Sequence, residues 1–231
     1  MKKTFFDILI DSIYPARCIL CDEVITPDLY FCKHCEDKLE YPKEKRCLSC
    51  GRALKKCECN DFIYHFDSVI SPFYNEGNAK VGFYHFKFDK DKRIGEFYAS
   101  KMAEIIKKYH TSSGFHFVTS VCPSKKNCEY DHSGILAKQL SKELGVKYVK
   151  TLAPSNKKRK TQHMLGFSER FQNVHDSYCA IGSFKGKHIL LVDDIKTSGA
   201  TIDECARQLK FAGAEKVHCI TALIGSAEFS D

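Results

Sequence analysis

The chain has 231 residues, of which 43% are hydrophobic and 28% are charged, and its formal net charge is +7 at pH 7. This composition excludes an intrinsically disordered protein, and the length allows one large core with a small additional module. Thirteen residues are cysteines, of which eight precede residue 60. We therefore expect a cysteine-rich domain over residues 1–60 and a larger domain over residues 61–231.

The first residues lack the pattern of an export signal. The apolar run at residues 5–10 is interrupted by Asp7, is followed by Asp11 and has no small-residue cleavage site after it. It is also too short to cross a bilayer. We expect a cytoplasmic protein, with recruitment to the inner face of the membrane through partners left open. In a reducing cytosol, clustered cysteines more often bind metal than form disulfides.

Eight cysteines have the spacing of tetrahedral zinc sites, namely Cys18, Cys21, Cys32, Cys35, Cys47, Cys50, Cys57 and Cys59. The first four form two Cys-x-x-Cys knuckles, and the last four repeat the arrangement less regularly. Dithiol redox chemistry needs only two cysteines, so zinc ligation explains eight of them better. Spacing leaves the pairing open, because a sequential and an interleaved arrangement both satisfy it.

The positive charge is concentrated in the larger domain. Residues 1–59 carry 11 Lys and Arg against 10 Asp and Glu, whereas the remaining residues carry 25 against 19. Because each zinc–tetrathiolate centre adds two negative charges, the cysteine-rich domain would have a charge of about −3 with both metals bound. An electrostatic contact with nucleic acid is therefore expected mainly from the larger domain.

The larger domain is predicted to alternate strands and helices. The aromatic segment 62–88 suggests short strands around a turn at residues 76–78, and its interleaved lysines leave base stacking open beside core packing. Helices are predicted over Lys92–Tyr109, from about Asp131 to Gly145, and over 202–211. Further strands are predicted at 115–121, 146–152, 189–192 and 217–224. This order predicts a mainly parallel sheet with its ligand site at the carboxyl ends of the strands.

A buried strand is followed directly by two acids and a short hydroxyl- and glycine-rich loop. The strand reads Ile-Leu-Leu-Val at residues 189–192, and Asp193 to Thr201 reads Asp-Asp-Ile-Lys-Thr-Ser-Gly-Ala-Thr. Backbone N–H groups and hydroxyls of such a loop can bind a phosphate at the positive end of a helix dipole. The carboxylates can hold sugar hydroxyls or a magnesium ion. The sequence therefore predicts a phosphorylated sugar as ligand.

The stretch from Ile189 to Thr201 resembles the phosphoribosyl-pyrophosphate motif of type I phosphoribosyltransferases. The resemblance implies that Asp193 and Asp194 hold the ribose hydroxyls. It also implies that the 5′-phosphate is bound by Thr197, Ser198, Gly199, Ala200 and Thr201. Lys196 replaces a residue that is usually uncharged in those enzymes.

Together with the cysteine knuckles, this motif makes the chain similar to the ComF family of competence proteins, a double zinc ribbon fused to a phosphoribosyltransferase domain. The resemblance implies an α/β fold of the type I phosphoribosyltransferase kind with a small N-terminal zinc-ribbon domain. It also relates Val121–Lys126 to the pyrophosphate loop and Lys157–Val174 to the flexible loop of the family. The segment Glu129–Ser133 departs from the family pattern, and no ligand contact is assigned there.

Several basic residues and one hydroxyl are expected to face the pyrophosphate. Positive side chains can offset the charge of phosphoribosyl pyrophosphate and its magnesium ion. The expected ligand-binding residues outside the motif are Lys87, Ser124, Lys125, Lys126 and Arg159. If transfer occurs, Lys87 and Lys125 are expected to act with the two acids in catalysis, because pyrophosphate must leave as positive charge develops on the sugar.

Three functions are compatible with these features. The first is a competence protein for DNA uptake that binds phosphoribosyl pyrophosphate with magnesium and handles single-stranded DNA. The second is an active phosphoribosyltransferase that acts on an unidentified nitrogen acceptor. The third is a non-catalytic adaptor whose zinc domain docks a competence helicase or a DNA-uptake channel protein.

Overall fold

A five-stranded parallel sheet forms the centre of the computed structural model, which describes residues 13–39, 41–57, 59, 62–89, 92–110, 114–123, 130–157 and 167–225. The strands are β1 (Ser68–Ile70), β2 (Phe73–Tyr74), β3 (Phe117–Ser120), β6 (His188–Lys196) and β7 (Lys216–Ile224). Their order is β1-β7-β6-β3, and β2 pairs with β7 beyond β1. A separate antiparallel pair consists of β4 (Leu152–Pro154) and β5 (Tyr178–Ala180). The mainly parallel sheet expected from the sequence is confirmed.

Helices cover both faces of this sheet. They are α1 (Lys33–Glu36), α2 (Gly77–Phe88), α3 (Lys92–Tyr109), α4 (His132–Leu144), α5 (Phe167–Val174) and α6 (Ala200–Phe211), with a short 3-10 helix at Leu54–Lys56. Side chains alternate along β6, so that Leu190 and Val192 join one apolar cluster while Ile189 and Leu191 join the other. Buried residues of α2, α3 and α4 complete the first cluster, and those of α6 complete the second.

The predicted ends of α4 are confirmed by its capping contacts. Asp131 precedes the helix and accepts a hydrogen bond from the backbone N–H of Gly134 at 2.8 Å. Gly145 follows the helix with a φ of +65°, a left-handed conformation that glycine adopts without strain. The strand β6, predicted over 189–192, extends to Lys196 and therefore includes the two acids.

Two sequence predictions in the larger domain were wrong. In the segment 62–88 the strands expected before the turn are present as β1 and β2, but residues 77–88 form helix α2 rather than a strand. Ala79, Phe83 and Phe86 are fully buried at helical spacing, so the apparent alternation of aromatics reflects one helix face. The strand predicted over 146–152 is reduced to one parallel bridge between Tyr148 and Val118, and β4 begins only at Leu152.

Candidate functional site

The two acids lie at the carboxyl end of β6, but their surroundings differ. Asp193 is only 7% exposed, and its Oδ1 accepts hydrogen bonds from the Ser133 hydroxyl and from the backbone N–H of Asp194, both at 2.9 Å. Asp194 is more accessible, and its Oδ2 lies 2.5 Å from Lys87 Nζ at the end of α2. One carboxyl is therefore enclosed by the protein, and the other is charge-paired near solvent.

Burial raises the pKa of Asp193 to about 7, with the neighbouring charge of Asp194 as the second cause. The hydrogen bonds from Asp194 N–H and Ser133, and the charge of Lys87, oppose this increase. A second cation or a set of hydroxyl donors at the site would favour the charged form of both carboxyls. The pair is thus chemically suited to contact a cation or a set of hydroxyl donors.

The predicted phosphate loop joins β6 to helix α6. Gly199 precedes the helix with a φ of +88°, in the left-handed region that favours glycine. Thr197 is exposed, whereas Ser198 and Thr201 are half-buried. The backbone N–H of Ala200 donates to Ser198 Oγ at 3.3 Å. The loop therefore places hydroxyls and the first N–H groups of a 12-residue helix beside the carboxyl pair, as an anion site requires.

Lys196 lies beneath this loop and not at its surface. It is 2% exposed, and its Nζ lies 5.8 Å from the centroid of the Tyr64 ring. A Cβ on Gly199 would come within 2.9 Å of Lys196 Cε. The lysine chain consequently fills the space into which a larger residue at position 199 would project.

The eight cysteines form two separate clusters in sequential order. Within each cluster the four Sγ atoms all lie within 4.8 Å of one another. The first cluster consists of Cys18, Cys21, Cys32 and Cys35, and the second of Cys47, Cys50, Cys57 and Cys59. Three Sγ–Sγ distances are 3.6, 3.8 and 3.8 Å. Zinc with four sulfurs at about 2.3 Å places neighbouring sulfurs about 3.8 Å apart. Both clusters therefore fit zinc, and the interleaved pairing is excluded.

The first cluster packs on the helices that cover one face of the sheet. Phe31, beside its third ligand, is 3% exposed and lies edge-on to Phe97 of α3 with a centroid distance of 4.7 Å. Asn78 Nδ2 donates to the Cys35 carbonyl at 3.4 Å. Cys18, Cys32 and Cys35 belong to the same apolar cluster as Leu190 of β6. The first ribbon is thus continuous with the core of the larger domain.

The second cluster packs on the opposite face, close to the phosphate loop. The backbone N–H of Val69 in β1 donates to the Leu48 carbonyl at 2.8 Å. Gly51 has a φ of +78°, and a Cβ there would lie 2.7 Å from Ile224 Cδ1 at the end of β7. Cys50 shares an apolar cluster with Tyr64, Val69 and Ile189. The second ribbon therefore contacts β1 and the carboxyl end of β7, the strand that pairs with β6.

The structure brings together part of the predicted site. The predicted site residues that lie together at the carboxyl end of β6 are Lys87, both acids and the loop residues Thr197 to Thr201. Ser124, Lys125, Lys126 and Arg159 lie outside the described residues. Ser133 was missed because its segment departs from the family pattern. The available indication was a small hydroxyl residue at the start of α4, which follows a strand adjacent to β6.

Within the part of the chain that the structure describes, no helix is both long and apolar enough to cross a membrane.

Comparison with known proteins identifies both parts of the chain. Residues 95–228 match the Phosphoribosyl transferase domain family, and residues 9–62 match the Double zinc ribbon domain. The competence protein ComFC of Streptococcus pneumoniae is 26% identical over 87% of this chain and 96% of its own length. Competence protein F of Haemophilus influenzae is 22% identical, covering 81% of both chains.

A third relative and one solved structure extend the comparison. ComFC of Bacillus subtilis is 25% identical over 86% of this chain and 90% of its own length. A glutamine phosphoribosylpyrophosphate amidotransferase from B. subtilis is similar over 56% of this chain, with 21% identity and a TM-score of 0.38. The chain spans about a quarter of that enzyme, 26% of its length.

The family matches of both parts of the chain agree with the parallel sheet and with the two cysteine clusters. The resemblance to ComF proteins is therefore confirmed. The chain belongs to the phosphoribosyl transferase family and carries a double zinc ribbon before that domain.

Proposed function

We propose that this protein acts in competence for DNA uptake and binds phosphoribosyl pyrophosphate with magnesium at the carboxyl end of β6. The observation that carries the proposal is the pair Asp193–Asp194, which ends a buried strand beside a phosphate-type loop. A buried carboxyl and a charge-paired neighbour are costly to maintain without a ligand. The names of the relatives support the competence role.

Each part of the ligand has a proposed contact. Asp193 and Asp194 accept hydrogen bonds from the ribose hydroxyls, and the loop from Thr197 to Thr201 donates to the 5′-phosphate. Lys87 exchanges its contact with Asp194 for the pyrophosphate, because that lysine is already held at this edge. Magnesium binds mainly through phosphate oxygens, as this ion usually retains few protein ligands. Ser124, Lys125, Lys126 and Arg159 complete the proposed pyrophosphate contacts.

We assign zinc binding to the cysteine-rich part of the chain, and ligand and DNA binding to the larger part. Residues 1–60 bind two zinc ions, and residues 61–231 bind the sugar pyrophosphate and contact single-stranded DNA. The charge surplus of the larger domain, 25 basic against 19 acidic side chains after residue 59, supports the assignment of the DNA contact. The protein then works in the cytoplasm beside the uptake apparatus.

Isothermal calorimetry with phosphoribosyl pyrophosphate and magnesium tests the ligand assignment. Replacing both acids, Asp193→Asn with Asp194→Asn, is expected to weaken binding by at least about 100-fold, because two charge-assisted contacts are lost. Glu215→Gln is the matched control, since this exposed acid directly precedes β7 and lies beside His188, at the amino ends of the strands and away from the site. Unchanged affinity in the double variant would show that the ligand binds elsewhere.

Two further measurements separate the roles of the bound ligand and the DNA. Incubation with phosphoribosyl pyrophosphate and a panel of nitrogen bases and amines is expected to release no pyrophosphate if the site only binds, whereas steady release identifies a transferase.

Single-stranded DNA binding by the full chain is expected to weaken steeply as salt rises. A salt-independent interaction would contradict an electrostatic contact with the larger domain.

A further inference from the structure

The first residues of helix α4 contact two other elements of the candidate site. The helix begins at His132, and Asp131 caps it by accepting from the backbone N–H of Gly134 at 2.8 Å. A Cβ on Gly134 would clash with the Asp131 carboxylate, so the cap leaves no room for a side chain at that position. His132 and Ser133 therefore project from a backbone whose start is fixed by its own capping contact.

Ser133 contacts the buried acid of the site. Its hydroxyl donates to Asp193 Oδ1 at 2.9 Å, and the backbone N–H of Asp194 donates to the same oxygen at 2.9 Å. Ser133 is 8% exposed and Asp193 is 7% exposed, so water has little access to compete for this hydrogen bond. Two donors on one oxygen restrict the rotation of the carboxyl group. The orientation of the Asp193 carboxyl therefore depends on the start of α4.

His132 contacts the end of helix α2 that carries Lys87. His132 Nε2 lies 3.1 Å from the Lys87 carbonyl oxygen, and because a carbonyl can only accept, Nε2 carries a proton and donates. Lys87 is the next-to-last residue of α2, where carbonyl groups lack a partner within their own helix. The His132 ring also lies edge-on to the rings of Phe86 and Tyr130, with centroid distances of 5.5 and 4.8 Å. His132 thus holds the carboxyl end of α2.

The two contacts lead to opposite sides of the site. Lys87 Nζ lies 2.5 Å from Asp194 Oδ2, and Asp193 precedes Asp194 in β6. The start of α4 is joined to the lysine through the backbone of α2 and to the first acid through its Oδ1. The resemblance assigns no ligand contact to residues 129–133, and a supporting role explains how this segment still bears on the site.

We propose that His132 and Ser133 are positioning residues for two different parts of the ligand. Ser133 orients the Asp193 carboxyl so that its Oδ2 accepts hydrogen bonds from the sugar hydroxyls. His132 fixes the end of α2 so that Lys87 Nζ reaches the pyrophosphate. The identity of the ligand rests on the proposed function, whereas the division of roles rests on the contacts of α4 with β6 and α2.

Calorimetric titration with three ligands separates the two roles. Phosphoribosyl pyrophosphate with magnesium contains both parts, ribose 5-phosphate contains only the sugar part, and inorganic pyrophosphate with magnesium contains only the other. Ser133→Ala is expected to weaken binding of the first two about tenfold and to leave pyrophosphate unaffected, because one hydrogen bond to a charged group is lost. His132→Phe keeps an aromatic ring but has no donor. It is expected to weaken phosphoribosyl pyrophosphate and pyrophosphate about tenfold and to leave ribose 5-phosphate unaffected.

Conservative variants and a control on the same helix exclude a general loss of stability. Ser133→Thr retains the hydroxyl and His132→Gln retains an N–H donor, so each is expected to keep the affinity that Ser133→Ala or His132→Phe loses. Ser141→Ala removes another buried hydroxyl of α4, which donates to the Lys138 carbonyl at 2.7 Å, and is expected to bind all three ligands as the wild type does. Equal weakening of all three ligands in either variant, or wild-type affinity in both, would overturn the inference.

A ligand-free measurement keeps this inference distinct from the proposed function. If the wild type binds none of the three ligands, the proposed function fails and the two positioning roles fail with it. If phosphoribosyl pyrophosphate binds but the crossed pattern is absent, the proposed function stands and only the inference is refuted. In either case a double-mutant cycle of urea unfolding decides the Ser133 contact. Ser133→Ala is expected to lower the unfolding midpoint in the wild type but not in Asp193→Ala, and equal shifts in the two backgrounds would contradict the contact.

Discussion

Replacing the buried acid of the site, Asp193→Asn, is expected to stabilise the unliganded protein. The pKa of Asp193 is raised from 3.8 to about 7, so folding imposes an unfavourable environment on its carboxylate. An asparagine Oδ1 can accept the same two hydrogen bonds, from Ser133 and from the backbone of residue 194. The variant therefore keeps the contacts and removes the charge.

The size of the effect follows from the two pKa values. The difference between 3.8 and about 7 corresponds to about 4 kcal/mol, at about 1.4 kcal/mol for each pKa unit, as an upper limit. Below the unfolded pKa both states hold the proton, and no stability is lost. Between the two values the native state retains a proton that the unfolded chain has released, so stability falls as pH rises through this window. The gain is expected to be about 2 kcal/mol near about pH 5.5 and about 4 kcal/mol near about pH 8.5.

Urea unfolding followed by circular dichroism, at both pH values and with zinc present, measures this gain. The neighbouring variant Asp194→Asn is the comparison: it relieves the charge of Asp194 on Asp193 but also breaks the ion pair with Lys87, so its gain is expected to be smaller than that of Asp193→Asn. Both variants are expected to lose affinity for phosphoribosyl pyrophosphate, so stability and binding change in opposite directions at Asp193. A gain that is equal at the two pH values, or absent at both, would refute the ionisation of Asp193 as the cause.

Three other changes test the structure. Burial lowers the pKa of His218 to about 4, so His218→Gln is expected to reduce the loss of stability between about pH 6.5 and about pH 4 by at most about 3 kcal/mol; parallel pH curves for variant and wild type would contradict this. Gly51→Ala is expected to cost at least about 1–3 kcal/mol and to speed zinc release from the second cluster, because of its φ of +78° and the close Ile224; unaltered thermal unfolding would exclude this strain. Phe31→Ala is expected to cost about 3–5 kcal/mol in urea unfolding. Loss of zinc from the first ribbon with an unchanged sheet would show that Phe31 packs only locally.

The sequence was informative wherever local chemistry determines local structure. The strand β6 and its two acids could be predicted because four consecutive apolar residues precede the carboxyls. The limits of α4 could be predicted because Asp131 and Gly145 act through contacts with their own helix. Zinc binding could be predicted for the same reason, since cysteine spacing defines each knuckle.

Contacts between distant segments could not be predicted in this way. The aromatics of α2 were misread as strand residues. Over a short segment, the buried face of a helix and a buried strand both give a high density of apolar residues, so the pattern does not distinguish them. The position of Lys196 was also not predictable: a lysine in a loop motif is normally exposed, whereas here it is buried beside Tyr64 from a distant segment of the chain. Ser133 likewise reaches Asp193 across 60 positions of sequence.

The packing of the first ribbon has a consequence for how the protein can be divided. Phe31 and three cysteines of the first cluster lie in the same apolar cluster as the central strand β6, so the residues before and after the change of composition near residue 60 share one buried surface. A fragment that begins at residue 61 would expose Phe73 and Phe97 to water, and aggregation of the fragment is the expected result. We therefore expect an exchange of ribbons between relatives to succeed only when the facing surfaces of α2 and α3 are exchanged with them.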